Sequence, residues 1–332
     1  MSAPNEFRFK NIHPRLFIGT ASDRYAGWVG QIYSGHRYRG RIISRPKQVG
    51  GRSYVEEVLP VDSVREYFDH FPVLEIDFTF YGTLLDVRES PTSNFRVLTA
   101  YRKYLEKGDR VVLKVPQTVF APKVRRGSEY VDNDDYLDAD IFMGRFLDPA
   151  VRILGSNLSG LVFEQEYQRR EERPDPEDFA ADLDVFFGSI PSDGRYHVEI
   201  RTGDLLQPPL MEVLGRHGVG LVLSHWTWLP PLRAQHGLIR SLRLNRERVQ
   251  VIRLVTPRGM TYAQTYKAAH PFSDLVEGMM SGDMIEDTVE VIKGEVSRGT
   301  RVFLLINNRA GGNAPLIARL VSERFLSPGD EA

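Results

Sequence analysis

From Arg15 onward, short apolar runs alternate with stretches whose apolar residues recur every three or four positions. The runs read as strands and the periodic stretches as amphipathic helices. Strand readings fall at Arg15–Gly19, Val73–Tyr81, Arg110–Val115, Leu161–Glu166, Tyr196–Arg201, Val219–His225, Val251–Val255 and Arg301–Ile306. Between them, Val64, Tyr67, Phe68 and Phe71 mark a helix that Asp62 can cap, and Phe95, Leu98, Tyr101 and Leu105 mark one that stops near Gly108. A helix follows at Ile141–Leu154, and Asp175-Pro176 opens another that presents Phe179, Leu183, Phe186 and Phe187. A short helix lies near Leu210–Leu214, a longer one carries Met284, Ile285, Thr288, Val289, Ile292 and Val296, and a last begins after Asn313 with Leu316, Ile317, Leu320, Val321 and Phe325. Thr20–Tyr33 and Phe120–Asp138 read as loops. Strands alternating with helical crossovers predict a parallel sheet, and eight repeats predict a closed α/β barrel of the (β/α)8 TIM type in one domain. A doubly wound open sheet is the weaker alternative, because Gly19-Thr-Ala-Ser lacks the glycine spacing of a nucleotide loop. The barrel is expected over residues 16–326, after a polar leader at 1–15, with a basic insertion at about 36–53 and a tail at 327–332.

The strand from Val73 to Tyr81 contains a contradiction. Glu75, Asp77 and Thr79 share one face at period 2, with Leu74, Ile76, Phe78 and Phe80 on the other. Charged residues recur in strands that a parallel barrel covers on both sides: Lys114, Glu164 and Glu166, Glu199 and Arg201, His225 and Arg253, with Asn307 at the end of the last. Singly, each is explained by an ion pair. Together, late in their strands, they predict a common site at the carboxyl end of the barrel. Glu199, Glu75 and Glu164 are the candidate acid and base residues, and Arg201, Lys114 and Arg253 the candidate anion clamps. Glycines in Asn307-Asn308-Arg-Ala-Gly311-Gly312 either open an anion site before the last helix or form a plain turn with Asn313 as cap. Trp226, Trp228 and Tyr262 are placed to stack on a ligand or to pack loops.

Composition narrows the classes. The chain has 332 residues, 42% apolar and 26% charged, with a net charge of −1. That is ordinary for a globular protein and gives no overall attraction to nucleic acid or acidic membrane. The chain has no cysteine, which removes disulfides and thiolate chemistry and fits a reducing compartment. With no apolar signal region and no apolar run near the roughly 18 residues of a membrane span, the expectation is a cytoplasmic protein. No cofactor is predicted. Converging carboxylates leave a divalent metal open, with His225 as a further ligand, although Lys114, Arg201 and Arg253 already offset their charge. The expected partner is a small polar or anionic ligand. The basic residues between Arg37 and Arg52 are either a solvated surface or a phosphate-steering flap.

The succession Ile18-Gly-Thr-Ala, Trp28-x-Gly30 with Tyr33, Glu75-Ile-Asp77-Phe-Thr-Phe-Tyr81, Leu113-Lys-Val-Pro116, Val198-Glu-Ile-Arg201 and Ile306-Asn-Asn-Arg-Ala-Gly-Gly312 resembles the YecE-like family, a domain of unknown function known as number 72. The resemblance runs from about Leu16 to Phe325. It implies a TIM-type barrel and a pocket built from these motif residues, including Asp77, Tyr81 and Trp28, and it implies no reaction. The chain departs from the family pattern in three places: Glu164-Gln-Glu-Tyr167 stands for a Gln-Leu-Pro run, Arg201-Thr202 for Arg-His, and Arg309 for an aspartate. The readings that follow are an enzyme of hydrolase, lyase or isomerase type acting on a carbohydrate-like or phosphorylated substrate, a non-catalytic binding barrel, and, least supported, phosphate or nucleic-acid binding through the basic insertion.

Overall fold

The computed structural model describes residues 7–126, 129–242 and 244–327. Its main sheet comprises β1 (Leu16–Ala21), β2 (Val73–Ile76), β3 (Arg110–Lys114), β4 (Leu158–Glu164), β5 (Tyr196–Glu199), β6 (Gly220–Leu221 and Leu223–His225), β7 (Val249–Leu254) and β8 (Arg301–Ile306). All pairings among them are parallel. The sheet order begins at Gly220–Leu221, passes through β5, β4, β3, β2, β1, β8 and β7, and ends at Leu223–His225. Both ends are halves of β6, separated only by Val222, so the sheet returns on itself as a single-domain TIM-type barrel.

Helices α1 (Val64–His70), α2 (Ser93–Arg102), α3 (Asp148–Leu154), α4 (Pro176–Ser189), α5 (Pro208–His217), α6 (Leu232–Ile239), α7 (Tyr262–Ala269), α8 (Gly282–Ser297) and α9 (Ala314–Leu326) supply the outer layer. Strand alternation sorts the core into two compartments. Leu74, Ile76, Leu113, Phe163, Val198 and Leu254 belong to the large cluster between strands and helices. Val73, Val112, Val162, Val222, Val251 and Phe303 form a separate cluster that fills the barrel interior. Two residues beyond four of these valines, in the same phase, stand Glu75, Lys114, Glu164 and Arg253. The apolar layer therefore ends in a charged one. Gly19 lets β1 approach β2: a Cβ there would lie 2.0 Å from the carbonyl oxygen of Val73.

Several expectations are corrected. The strand at Val73 ends at Ile76 rather than Tyr81, because Asp77 turns the chain into a 3-10 helix over Phe78–Tyr81. That turn is held by the Thr79 hydroxyl, which donates to the Lys114 carbonyl at 2.7 Å. Asp62 does not cap α1; its carboxylate takes Arg41 at 2.8 and 2.9 Å. Two segments read as loop or surface excursion are antiparallel hairpins, Ile43–Val49 with Arg52–Val58 and Lys123–Arg126 with Glu129–Asp132. Their strands are largely exposed and carry no apolar face that would announce them. The leader is anchored in part, since Phe9 is buried and stacks on Phe71 with ring centroids 4.6 Å apart. Residues 1–6 of the leader and 328–332 of the tail lie outside the described residues.

One buried carboxyl lies in the loop after β1. Asp23 accepts the Tyr101 hydroxyl on Oδ1 at 2.8 Å, while its buried Oδ2 has no partner. Burial pushes its pKa up to about 6, against the smaller opposing pulls of Arg24 and Tyr101. A folded-state pKa above the unfolded one means that ionisation costs stability. The cost is absent below the unfolded value near 3.9 and complete once pH has risen past 6. Asp23→Asn is therefore expected to stabilise the protein by about 3 kcal/mol at pH 8, and the gain should shrink toward zero at pH 4. Thermal melts of both proteins across this range check it; a difference independent of pH would contradict the assignment.

Candidate functional site

The polar layer above the barrel interior is a network of three carboxylates and three cations. Arg253 on β7 reaches across the lumen, with Nε 2.8 Å from Glu75 Oε2 and Nη2 2.6 Å from Oε1. Its Nη1 donates to Glu164 at 3.1 Å and to Glu199. Glu164 and Glu199 are register neighbours on β4 and β5, where two bare carboxylates would repel. Arg201 Nη2 bridges them, 2.8 Å from Glu164 Oε2 and 3.0 Å from Glu199 Oε1. Lys114 adds a third cation to Glu164 at 2.7 Å, and its ammonium lies 4.0 Å from the centre of the Phe80 ring. The Ser224 hydroxyl donates to Glu199.

These surroundings divide the acids. Burial raises the pKa of Glu75, and Arg253 and Lys114 only partly offset it. Glu164 is also buried, but Arg201, Lys114 and Arg253 outweigh that cost and hold it well below the usual carboxylate range. Glu166, two residues on, is raised by burial and then by the charge of Glu164. Its carboxylate has no ion pair among the described residues.

Above this floor opens a cleft of about 870 Å3, within the range of small-molecule sites. Of the residues expected at the site, Glu75, Glu164, Arg201, Lys114, Asp77, Tyr81, Arg253 and Asn307 line it. Asp77 takes the Ser22 hydroxyl at 2.7 Å, and Asn307 Oδ1 accepts the Arg309 amide at 3.0 Å. The Arg201 guanidinium lies 4.3 Å from the centre of the Trp226 ring, and its Nε and Nη1 are buried without a partner. Arg309 repeats the motif over Tyr262 at 4.3 Å, again with Nε unpartnered.

The structure moves the other expected residues out of the cleft. Glu199 is fully buried beneath it, enclosed by Arg201, Arg253 and Ser224. Trp28 is fully buried and donates through Nε1 to Asn308 Oδ1 at 3.1 Å, a tie between the loops after β1 and β8. Asn308 also caps the start of α9 by accepting the Ala314 amide at 2.8 Å. Gly311 and Gly312 do not form an open anion nest, because the segment from Asp274 to Met280 lies on them. An added Cβ would stand 2.4 Å from Met280 Cγ and 2.3 Å from the Asp274 carbonyl oxygen, and Gly311 O accepts the Val276 amide at 2.9 Å. The alternative reading of that turn, with Asn313 as the cap, is the one observed. His225 is turned to Thr256 O at 3.0 Å and Ser281 Oγ at 3.3 Å, away from the carboxylates. Among the described residues no group of three or more His, Asp or Glu side chains is arranged to hold a metal.

Sequence reading missed the upper wall. Lys47, Lys123, Tyr130 and Asp132 come from the two hairpins, and Arg169 and Glu172 from the loop after β4. Nothing periodic marks such residues. Glu166, which the strand pattern assigns to the common site, and Trp226 and Tyr262, which it offers as stacking rings, do line the cleft, and Arg309 joins them. Several basic residues of the insertion and the second hairpin are already neutralised: Arg41 by Asp62, Lys47 by Glu56 and Lys123 by Glu172. No helix among the described residues is long and apolar enough to cross a membrane.

Solved structures share this architecture. A DUF72 family protein from Enterococcus faecalis is 14% identical, with 95% of this chain and 97% of that one covered at a TM-score of 0.56. Another from Thermotoga maritima is 14% identical over 94% of this chain and 98% of that one, at a TM-score of 0.53. At such identity the similarity is one of fold. No curated protein matches the sequence. The model of the family described as "Protein of unknown function DUF72", also called YecE-like, matches residues 17–330, and the chain therefore belongs to that family.

Proposed function

We propose that the barrel mouth is the active site of an enzyme acting by proton transfer on a small, carbohydrate-like substrate that carries an anionic group. The observation that supports it most is the opposite tuning of Glu164 and Glu166 in one open cleft. Paired carboxyls whose environments drive their pKa values apart are the usual basis for separate acid and charge-stabilising roles. Glu166, raised and unpaired, is the proton donor in this reading. Glu164, ionised among three cations, fixes Lys114, Arg201 and Arg253 in place.

The rest of the wall fits such a ligand. Unpartnered guanidinium donors on Arg201 and Arg309 suit a carboxylate or phosphate oxygen, whose arrival would satisfy groups that are otherwise costly to bury. Tyr81, Tyr130, Trp226 and Tyr262 line the cleft with ring faces on which a sugar ring can stack. Glu75 and Glu199 are support: each is fully buried in ion pairs, and each is needed to hold an arginine. A binding barrel without turnover is the rival reading, favoured by the completeness of the ion pairs around Glu164.

The two roles separate by mutation. Glu166→Gln is expected to leave the fold intact, with a melting temperature at neutral pH no lower than the parent's, and to lower kcat by about 100-fold or more once a substrate is found. It should also abolish the limb of the pH profile along which kcat/KM falls as Glu166 loses its proton. Retained activity with an unchanged profile would remove Glu166 from the chemistry.

Glu199→Gln is expected to behave differently. It strips one charge from a buried network and should destabilise the fold by about 3 kcal/mol, seen as a lower urea midpoint. A variant as stable as the parent would show that Glu199 is not a structural partner of Arg253. Finally, a thermal-shift screen with sugar phosphates and sugar acids should give hits that disappear in Arg201→Ala. Binding that persists in that variant would place the anion elsewhere.

A further inference from the structure

The opposite end of the barrel has a second concavity. A cleft of about 640 Å3 opens where β6, β7 and β8 begin, lined by Gly220 and Val249 at strand starts and by Thr300 just before β8. Four arginines border it: Arg240, Arg246, Arg248 and Arg298. Among the described residues Glu295 is the one acid in its wall, and its carboxylate is already committed to His236 at 2.7 Å and Arg298 at 3.0 Å. The neighbouring Glu247 pairs with Arg301 at 3.0 Å and does not line the cleft. The chain as a whole has 43 basic and 44 acidic residues, so this local excess is not a reflection of composition.

The arginines are carried on a fixed frame. Asn245 pins the turn before β7, accepting the amides of Glu247 and Val249 at 3.1 Å each and donating to Gly194 O at 2.8 Å. Arg248 sits at a φ of 52°, a left-handed conformation that a side chain as large as arginine adopts at a cost. The stem of Arg246 lies against Gly218, where a Cβ would stand 2.4 Å from Arg246 Cγ. Arg15 Nη1 and Arg248 Nη1 both come within about 4 Å of the point a Gly299 Cβ would occupy. They are therefore separated by no more than about a Debye length at physiological salt.

A plainer account is that these cations complement the C-terminus of α8. Arg298 and the Arg15–Gly299 carbonyl bond of 2.8 Å do answer that end. But a helix terminus offers only about half a negative charge. Arg240, Arg246 and Arg248 have no carboxylate partner among the described residues. The other wall, with Leu221, Ile239, Leu242 and Leu244, is apolar.

We propose that this cleft is a separate binding site for a small phosphorylated ligand of the nucleotide class, its phosphates held by Arg240, Arg246 and Arg248 and its flat, less polar part laid against Ile239 and Leu244. The concave shape and the net charge of −1 favour a small molecule over an extended nucleic acid.

The test is isothermal titration of the full chain with ATP, with pyrophosphate and with a short single-stranded oligonucleotide, at low and at physiological salt. ATP is expected to bind at low salt more tightly than pyrophosphate, and binding should weaken as salt rises. Arg240→Ala with Arg246→Ala should reduce ATP affinity at least tenfold without moving the melting temperature, because both side chains are exposed. Arg309→Ala, in the mouth but outside the six-charge layer, should leave ATP binding unchanged. Absence of ATP binding, or binding that the double variant retains, overturns the proposal. An oligonucleotide that binds more tightly than ATP overturns the small-ligand assignment.

Discussion

Arg253 is the residue on which the mouth of this barrel depends. It lies in the middle of the charged layer, almost fully buried in the cleft floor, and its guanidinium is shared among carboxylates from β2, β4 and β5. Removing any of these charges alone would leave an uncompensated ion in a low-dielectric interior, which is far costlier than the pair is worth. The layer is therefore all or nothing. Three acids and three bases balance one another, and removing any single one costs stability. This also explains why Glu164, although buried, stays ionised.

Much of this was legible from residue spacing. The apolar run Arg301–Ile306 marks β8 at its observed limits, and Asp175-Pro176 marks the start of α4, because the capping aspartate and the proline act locally. The charged layer was legible for a related reason. Period 2 is fixed by backbone geometry, so Glu75, Lys114, Glu164, Glu199 and Arg253 had to share the lumen face wherever the strands went.

What could not be read depends on contacts distant in sequence. The strand at Val73 stops at Ile76 because Thr79 finds the Lys114 carbonyl, 35 residues away. Asp62 has the chemistry of a cap but is taken by Arg41 from the insertion. The glycines at 311 and 312 look like an anion nest until residues 274–280 are laid on them. Trp28 carries a motif of the family and reads as a ligand platform, yet it packs against Tyr25 and bonds to Asn308 instead. In each case the local signal was correct about chemistry and silent about which partner arrived first.

Depth is the variable that sequence spacing carries but does not interpret. Residues two apart on a strand share a face, yet the second stands roughly 7 Å nearer the mouth. In this barrel that step separates two kinds of polar residue. Glu199 lies sealed beneath the cleft, and Glu75, fully buried, belongs to the cleft floor through its ion pair with Arg253. Asp77 and Arg201, two positions later, line the cleft, as does Glu166, two positions after Glu164. The same alternation that packs valines in the interior thus places the ion-paired layer first and the cleft wall second. Of Glu164 and Glu166, the later is the one with no ion pair among the described residues. Glu164 falls at the boundary, which is why it meets both the buried Arg253 and the Lys114 and Arg201 of the cleft wall.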